Sequence, residues 1–169
     1  SSLYNKEKLL FPVFLDNVIV LYKNSDKAII KQENNRAIYI FKGAKDLKEG
    51  FSYNIQVNQI YDFYGLKEIK DFNILKENSS FKNYKDLFLD GSKIDIFDFK
   101  YENEVITNLK GFITKGNLQI NGGKTIKLFA KDKNILPKDG STIEILNAQL
   151  GSYRGNMQII FHTKDDYKE

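Results

Sequence analysis

The sequence predicts an all-β protein, with two tandem five-stranded Greek-key barrels joined by a short helical linker. Within the 169 residues, the stretch 49–69 returns as 139–159 with its glycines and apolar positions in register. Five segments of strand-like alternation occur in the same order in each half, with glycines at the corners where a small barrel bends. These features place the first barrel at residues 9–76, the linker at 77–92 and the second barrel at 93–164.

The first barrel is expected to begin with a strand over 13–22, because Pro12 cannot donate a hydrogen bond inside a sheet. Residues 1–8 are polar and are expected to be frayed. Strands over 28–32 and 36–41 follow as a hairpin. Ile30 can face the same side as Ile38 only across an odd number of loop residues, which predicts a three-residue loop with Asn35 at positive φ.

Strands over 51–60 and 66–75, joined by a turn over 61–65, complete the first barrel. The second repeats this order with strands over 105–114, 117–121, 141–149 and 156–163, and with a third strand that carries Ile126 and Leu128. Leu118 and Ile120 are expected to face Ile126 and Leu128 across another odd loop, Asn121-Gly122-Gly123. Between the barrels, helical apolar spacing predicts a helix over 80–89, and alternation over 94–99 predicts an extended entry into the second barrel.

The overall charge is only mildly basic. The chain has 26 basic and 22 acidic residues, and 24 of the basic ones are lysine. Lysine is a strongly hydrated point charge, so a solvated surface is the simplest interpretation and a phosphate-attracting surface is the alternative. The chain has no cysteine, which excludes disulfides, thiolate metal centres, iron–sulfur clusters and cysteine nucleophiles. No apolar run reaches transmembrane length.

No arrangement of residues has a catalytic pattern. His162 and Asp165 are the one candidate metal pair, but a solvated histidine at a strand end is far more common. Asp95 and Asp98 fall on opposite faces of an extended segment. The glycine pair before Lys124 lacks the second half of a phosphate-binding loop. We therefore expect a protein that is not an enzyme and needs no cofactor.

Three stretches carry a family resemblance: residues 37–41, the Gly50 corner, and VNQIYDFYGL at 57–66. They resemble OB-fold modules of secreted or lipid-anchored bacterial proteins and of nuclease-associated nucleic-acid-binding domains. The second barrel has Tyr-Arg-Gly-Asn at 153–156, where the first has Phe-Tyr-Gly-Leu. The resemblance implies an extracytoplasmic protein, secreted or lipid-anchored after leader removal. A Ser-Ser start fits the residues beyond a removed lipoprotein cysteine, and fits an expression scar equally well.

In OB-folds the outer faces of strands two and three, with the flanking loops, bind oligonucleotides or oligosaccharides. Aromatic rings there stack on bases, and basic groups neutralise phosphate. The expected partner is single-stranded DNA or RNA. The alternative is a secreted or surface-anchored adhesion or assembly module whose partner is a protein or a glycan. The predicted ligand-binding residues are Lys31, Arg36, Tyr39, Phe41, Tyr61, Phe63 and Tyr64 in the first barrel, and Lys115, Lys127, Phe129, Tyr153 and Arg154 in the second.

A second interpretation of the aromatic residues remains open. Tyr39, Phe41 and Phe129 would be buried if the barrels packed together or against the linker helix. Asp62 and Glu68 beside the first aromatic turn weigh against nucleic acid there. Because the first turn is aromatic and acidic while the second is small and basic, we expect one barrel to bind and the other to brace it.

Overall fold

The computed structural model describes residues 2–169. Ser1 is not among the described residues, so the Ser-Ser start lies partly outside them. The chain divides into two compact units, with the boundary between Leu87 and Phe88. Across residues 2–169 the regular elements are strands and short 3-10 turns, which confirms the all-β class. No helix in that range is long and apolar enough to cross a membrane.

The first unit is a closed five-stranded barrel. Its strands are β1 (Val13–Asn24), β2 (Lys27–Lys31), β3 (Ile38–Ile40), β4 (Phe51–Phe63) and β5 (Leu66–Ser80). Their order around the barrel is β1-β2-β3-β5-β4, and pairing of β1 with β4 closes it. This is the Greek-key barrel that the sequence predicts for the first unit.

The β2–β3 hairpin has the predicted register. Ile30 pairs with Ile38 and Ala28 with Ile40, and all four side chains lie in the core. The residue at positive φ is Asn34, at 64°, rather than Asn35. Asparagine tolerates this left-handed conformation better than most residues, so either asparagine could take it. The register of the hairpin was therefore predictable, but not which asparagine turns the chain. The predicted three-residue loop is wrong, because residues 32–37 separate β2 from β3.

The start of the chain is ordered, so the expectation that it is frayed is wrong for the described residues. Ser2–Asn5 form a 3-10 turn, and the Leu3 side chain is fully buried in the barrel core. The Tyr4 hydroxyl donates a hydrogen bond to the carbonyl oxygen of Ala37. A buried leucine contributes about 2 kcal/mol. One apolar side chain therefore anchors a segment whose composition is polar.

The long β4–β5 hairpin differs from its prediction at both ends. β4 continues through Tyr61–Phe63, so the turn shrinks to Tyr64 and Gly65, with φ of 51° and 103°. Two positive-φ residues are what a two-residue hairpin loop needs. At the other end β5 reaches Ser80, which pairs with Phe51.

The predicted helix over 80–89 is wrong. After β5 there is only a 3-10 turn, Tyr84–Leu87. The Tyr84 hydroxyl donates to Glu49 Oε2 at 2.7 Å, and its ring lies 3.1 Å from where a Cβ on Gly50 would be. The aromatic spacing that suggested a helix thus reflects packing of this turn on the barrel. A helix linker is not part of the fold.

The second unit contains a nine-stranded sheet, whereas the sequence predicts a five-stranded closed barrel there. Its strands are β6 (Leu89–Asp90), β7 (Val105–Thr107), β8 (Leu109–Thr114), β9 (Asn117–Gln119), β10 (Thr125–Phe129), β11 (Thr142–Ile145), β12 (Ala148–Tyr153), β13 (Asn156–Ile160) and β14 (Tyr167–Lys168). The sheet order is β14-β11-β8-β9-β10-β13-β12-β7-β6.

This sheet has nine strands where the sequence predicts five, because two predicted strands are interrupted and the short strands β6 and β14 are added. The strand over 105–114 breaks at Asn108, whose φ is 56°, and becomes β7 and β8. The strand over 141–149 breaks between Ile145 and Ala148 and becomes parts of β11 and β12. The halves still pair, β8 with β11 and β7 with β12. Asn17 in β1 has the same positive φ, 55°, at a register shift in the first unit.

The segment over 94–99 is not extended. It runs through turns in which Asp95 Oδ1 accepts from the Phe97 amide at 3.0 Å and Asp98 Oδ1 accepts from the Lys100 amide at 2.9 Å. Ile96 is buried in the core of the second unit. The alternation of aspartate with apolar residues therefore arises from side-chain-capped turns, which aspartate favours.

Candidate nucleic-acid interface

Three neighbouring strands of the second unit, β8, β9 and β10, present one face to solvent. Alternate side chains of these strands, including Ile113, Leu118, Ile126 and Leu128, lie in the core. The side chains between them point away from it, as period-two alternation requires. We call this outer surface the β8–β10 face, and its residues are Phe112, Thr114, Asn117, Gln119, Thr125, Lys127 and Phe129.

The pairing register arranges these side chains in rows. Phe112, Gln119 and Thr125 form one row across the three strands, and Thr114, Asn117 and Lys127 form the next. Phe112 is 44% exposed and Phe129 43%. The predicted binding residues Lys127 and Phe129 thus stand on a solvent-facing surface. Phe112 was not among the predicted site residues, although alternation from Ile113 places it here.

Two tight turns flank this face. The β8–β9 turn has Lys115 and Gly116 at φ of 52° and 76°, and the Leu128 amide donates to the Gly116 carbonyl oxygen at 3.2 Å. The exposed Lys115 therefore lies beside the strand that carries Lys127. Asp139 Oδ1 accepts from the Gly116 amide at 3.0 Å, which places one carboxylate at this turn.

The β12–β13 turn carries the other predicted pair, Tyr153 and Arg154. The Arg154 guanidinium lies 5.3 Å from the centroid of the Tyr153 ring, and Arg154 is exposed. β13 runs parallel to β10, with Lys127 beside Gln158. This turn, which leads into β13, is therefore at the end of the sheet where β10 begins, opposite the Lys115 turn.

The basic charge of the chain is concentrated in the stretch that forms this face. Residues 110–138 contain seven lysines and a single acidic residue, Asp132, so the other parts of the chain hold 19 basic and 21 acidic residues. Lys110 forms an ion pair with Glu144, with Nζ 3.8 Å from Oε1. In the described part of the chain no carboxylate forms an ion pair with the remaining six lysines, which are Lys115, Lys124, Lys127, Lys131, Lys133 and Lys138. This clustering was visible in the sequence, but whole-chain charge averages concealed it.

The corresponding face of the first unit is closed to solvent. Lys31 and Tyr39, both predicted to point outward and bind, are 9% and 7% exposed, and Ile29 beside them is fully buried. Burial raises the pKa of Tyr39 well above its usual range, and the carboxylates of Glu68 and Asp26 raise it further. Alternation identifies which side chains leave the core, but not whether the outer face is covered. The expectation that Lys31 and Tyr39 are accessible is wrong.

The other aromatic residues predicted in the first unit form one cluster, which we call the aromatic tract: Phe41, Tyr61, Phe63 and Tyr64. Ring centroids are 6.1 Å apart from Phe41 to Tyr61, 6.4 Å from Tyr61 to Phe63, and 4.9 Å from Phe63 to Tyr64. Tyr61, Phe63 and Tyr64 are between 41% and 51% exposed.

Arg36, the remaining predicted residue of the first unit, stacks on Tyr4. Its guanidinium lies 3.5 Å from the centroid of the Tyr4 ring. Arginine stacked on tyrosine gains cation–π energy that is stronger when the pair is shielded from water. Arg36 therefore helps to hold the chain start on the barrel.

A buried carboxyl group lies beside the aromatic tract. Glu68 on β5 pairs with Tyr61 of β4 and with Tyr39 of β3, and it is 6% exposed. Burial raises the pKa of Glu68 to about 7, and the nearby Asp62 carboxylate adds to the rise. Ionisation of this group therefore opposes folding.

Glu68→Gln is expected to stabilise the protein above pH 7 but not below pH 4. The folded pKa lies above the unfolded one, so wild type is progressively destabilised as pH rises from about 4.5 to about 7. The gain for the variant at pH 8 is about 1–3 kcal/mol. Denaturant unfolding of both proteins across this range measures it. A difference that does not change with pH would contradict the assignment.

His162 is held in a polar cluster of the second unit rather than standing free at a strand end. Its Nε2 is 2.8 Å from Gln149 Oε1, and Gln149 Nε2 donates to Asn103 Oδ1 at 2.9 Å. The Asp166 carboxylate accepts from the His162 amide at 2.7 Å. Among residues 2–169 no three His, Cys, Asp or Glu side chains gather as a metal site. This cluster could not be predicted from the sequence, because Asn103, Gln149 and His162 lie far apart along the chain.

Comparison with known proteins yields only distant structural similarities. No family model matches the chain, and no curated protein matches it. Among solved structures, a murine DNA binding protein bound with double-stranded DNA matches with 11% identity and a TM-score of 0.45, over 90% of this chain and 91% of that one. The tetrameric p202 HIN2 matches with 11% identity and a TM-score of 0.43, over 95% and 93%.

A third similar structure is the Ifi202 HINa domain in complex with a 20bp dsDNA. It matches with 14% identity and a TM-score of 0.41, over 91% of this chain and 93% of that one. Similarity at this level does not assign the chain to a family. The function is therefore inferred below from the residues of the chain itself.

Proposed function

We propose that this chain is a non-enzymatic nucleic-acid-binding protein that binds through the β8–β10 face of its second unit. The observation that carries the proposal is the lysine concentration over residues 110–138, where seven lysines accompany one acidic residue. Lysines without carboxylate partners leave a positive field exposed to solvent. Such a field attracts phosphate, and binding is favoured by the release of counterions from the nucleic acid.

The aromatic rings on the face favour a single-stranded ligand. Phe112 and Phe129 present exposed rings on the solvent-facing side of the sheet. In a duplex the bases are stacked on one another, whereas in a single strand they are free to stack on protein rings. Base–aromatic stacking contributes about 1–3 kcal/mol per base and tolerates any sequence. We therefore infer a preference for single-stranded DNA or RNA with little sequence specificity.

The strand pairing of the second unit supports a second barrel of the same kind. β7 leads into β8 through Asn108 alone, and β8, β9, β10, β13, β12 and β7 follow one another in the sheet. Because β7 and β8 are the two halves of one predicted strand, this run of strands begins and ends at the same stretch of chain. On this proposal the β8–β10 face is the outer surface that OB-folds use for oligonucleotides.

Phe112→Ala and Phe129→Ala are each expected to weaken single-strand binding about tenfold, because each removes one stacking ring. The salt dependence of binding should not change, since no phosphate contact is lost. Fluorescence anisotropy with a labelled homopolymeric oligonucleotide measures both quantities. Phe14→Ala is the matched control, because Phe14 is an exposed phenylalanine, at 63%, on a strand of the first unit.

The same assay tests the proposed function as a whole. Affinity for single strands should fall as salt rises, with a logarithmic slope of about −0.7 per phosphate contacted. Single strands should compete better than duplexes of the same length. Absence of binding at low salt, or binding with a flat salt response, would overturn the proposal.

The aromatic tract supports a different second candidate, a protein or glycan partner for the first unit. Tyr61, Phe63 and Tyr64 are exposed. Asp62 lies among them in the chain, and its Oδ1 accepts a hydrogen bond from the Gly65 amide at 2.7 Å. Aromatic rings are enriched in protein interfaces, and a carboxylate here disfavours phosphate. If Phe63→Ala leaves oligonucleotide binding intact, the tract does not belong to the nucleic-acid site.

A further inference from the structure

We propose that Asn121, in the loop between β9 and β10, is a site of spontaneous deamidation that inserts a negative charge into the lysine-rich stretch. Asn121-Gly122 is the one Asn-Gly pair in the sequence. In this reaction the backbone nitrogen of the following residue attacks the asparagine side chain. Glycine at that position offers no side chain to obstruct the attack.

The loop leaves the reacting groups open to solvent. Asn121–Gly123 form a 3-10 turn whose residues are all exposed. Gly122 and Gly123 have φ of 85° and 82°, and no atom lies within 4 Å of a Cβ built on Gly122. Two glycines in succession also give this backbone more conformational freedom than any other pair of residues would. The asparagine can therefore reach the geometry that attack requires.

The attacking nitrogen has no competing partner in the described contacts. The loop is closed by a hydrogen bond from the Ile120 amide to the Lys124 carbonyl oxygen, at 2.9 Å, and by one from the Gly123 amide to the Ile120 carbonyl oxygen, at 3.1 Å. The Gly122 amide takes part in neither bond. No backbone hydrogen bond has to break before it reacts.

The reaction needs only water. The Gly122 backbone nitrogen loses its proton to solvent and forms a bond to Cγ of Asn121. The bond from Cγ to the side-chain nitrogen breaks, and that nitrogen takes up a proton from solvent and leaves as ammonia. The product is a five-membered succinimide. Water then adds to one of its two carbonyl carbons and opens the ring, giving aspartate or isoaspartate. A neutral amide has become a carboxylate, with no oxidant or cofactor involved.

The site of the new charge gives the modification a functional consequence, which rests on the proposed nucleic-acid function. Asn121 is three residues from Lys124 and on the loop that enters β10, and the stretch 110–138 would then hold two acidic residues instead of one. A negative charge within a Debye length of a bound phosphate, about 10 Å at 0.1 M salt, repels that phosphate and weakens binding. Deamidation should therefore weaken oligonucleotide binding severalfold at low salt and less at high salt.

Peptide mapping by mass spectrometry of the whole purified protein, aged at mildly alkaline pH, tests the modification. Deamidated product is expected predominantly at Asn121, with far less at the exposed Asn134, which the bulky Ile135 follows. In Asn121→Gln the product at this position should be almost lost. Equal rates at Asn121 and Asn134, or an unmodified Asn121, would overturn the proposal.

A second measurement tests the consequence separately. Asn121→Asp is expected to bind a single-stranded oligonucleotide severalfold more weakly than Asn121→Gln at low salt. If Asn121 is modified but the two variants bind equally, the proposed effect on binding is wrong. If unmodified wild type binds no oligonucleotide in any salt, the nucleic-acid function fails while the modification site stands.

Discussion

Lys115→Ala combined with Lys127→Ala is expected to weaken single-strand binding about 100-fold in low salt. Both lysines are exposed on or beside the β8–β10 face and have no ion-pair partner in the described structure. Two charge-assisted phosphate contacts are worth about 3 kcal/mol together. The logarithmic salt slope should also become shallower by about 1.4, because two fewer counterions are released.

The matched control is Lys76→Ala combined with Lys82→Ala. These are exposed lysines of the first unit, so this variant loses the same net charge from a different surface. It should bind almost as tightly as wild type. Equal weakening by both double variants would mean that net charge alone drives association, and the β8–β10 face would lose its special role.

Gly111→Ala is expected to destabilise the second unit by about 3 kcal/mol. A Cβ on Gly111 would lie 2.7 Å from Leu118 Cδ1 and closer still to the backbone carbonyl oxygen of Gln119. Backbone cannot move aside as a flexible side chain does, and overpacking of this kind typically costs about 1–3 kcal/mol or more. The sign of this change in stability is informative, since replacing a strand glycine by alanine ordinarily stabilises a protein by about 0.5–1 kcal/mol.

The position of Gly111 explains why the backbones approach there. β8 pairs with β11 over Leu109–Phe112 and with β9 over Phe112–Thr114, so its partners change just after Gly111. Glycine at such a corner lets a strand coil tightly between two neighbours. Denaturant unfolding measures the loss of stability, with Thr125→Ala, a substitution at an exposed position, as the control. A Gly111→Ala variant as stable as wild type would contradict this packing.

Local sequence rules predicted the parts of the fold that depend on side-chain parity. Ile30 faces Ile38, and Leu118 faces Ile126, because a one-residue slip would turn each apolar set to solvent. The rules failed where a single backbone conformation decides the outcome. Nothing in the composition around Asn108 indicates that its φ is positive, and that residue divides a predicted strand in two.

The predictions from helical spacing and from outward alternation were wrong for a different reason. Each pattern takes account of one segment of the chain and not of the segments that pack against it. Phe81, Tyr84 and Leu87 have helical spacing, yet β5 absorbs the residues before them and Tyr84 is hydrogen-bonded to Glu49. Tyr39 alternates outward from the core of its unit but is buried all the same. Tertiary packing overrides local preference in both cases.

The candidate site was only partly predictable from the sequence. Lys115, Lys127 and Phe129 followed from strand order and alternation, and they lie on one exposed surface. Phe112 joins them through cross-strand register, which pairs it with Gln119. The charge contrast between residues 110–138 and the rest of the chain becomes meaningful only when those residues are seen to form neighbouring strands.

Amide proton–nitrogen correlation spectra, recorded during titration with a single-stranded oligonucleotide at low salt, test most directly which surface binds. The largest shift changes should fall on β8, β9 and β10 and on the turn at Lys115 and Gly116. They should diminish as salt is added, because phosphate contacts are screened. Changes confined to the aromatic tract of the first unit, or no changes at any oligonucleotide concentration, would contradict a nucleic-acid interface on the β8–β10 face.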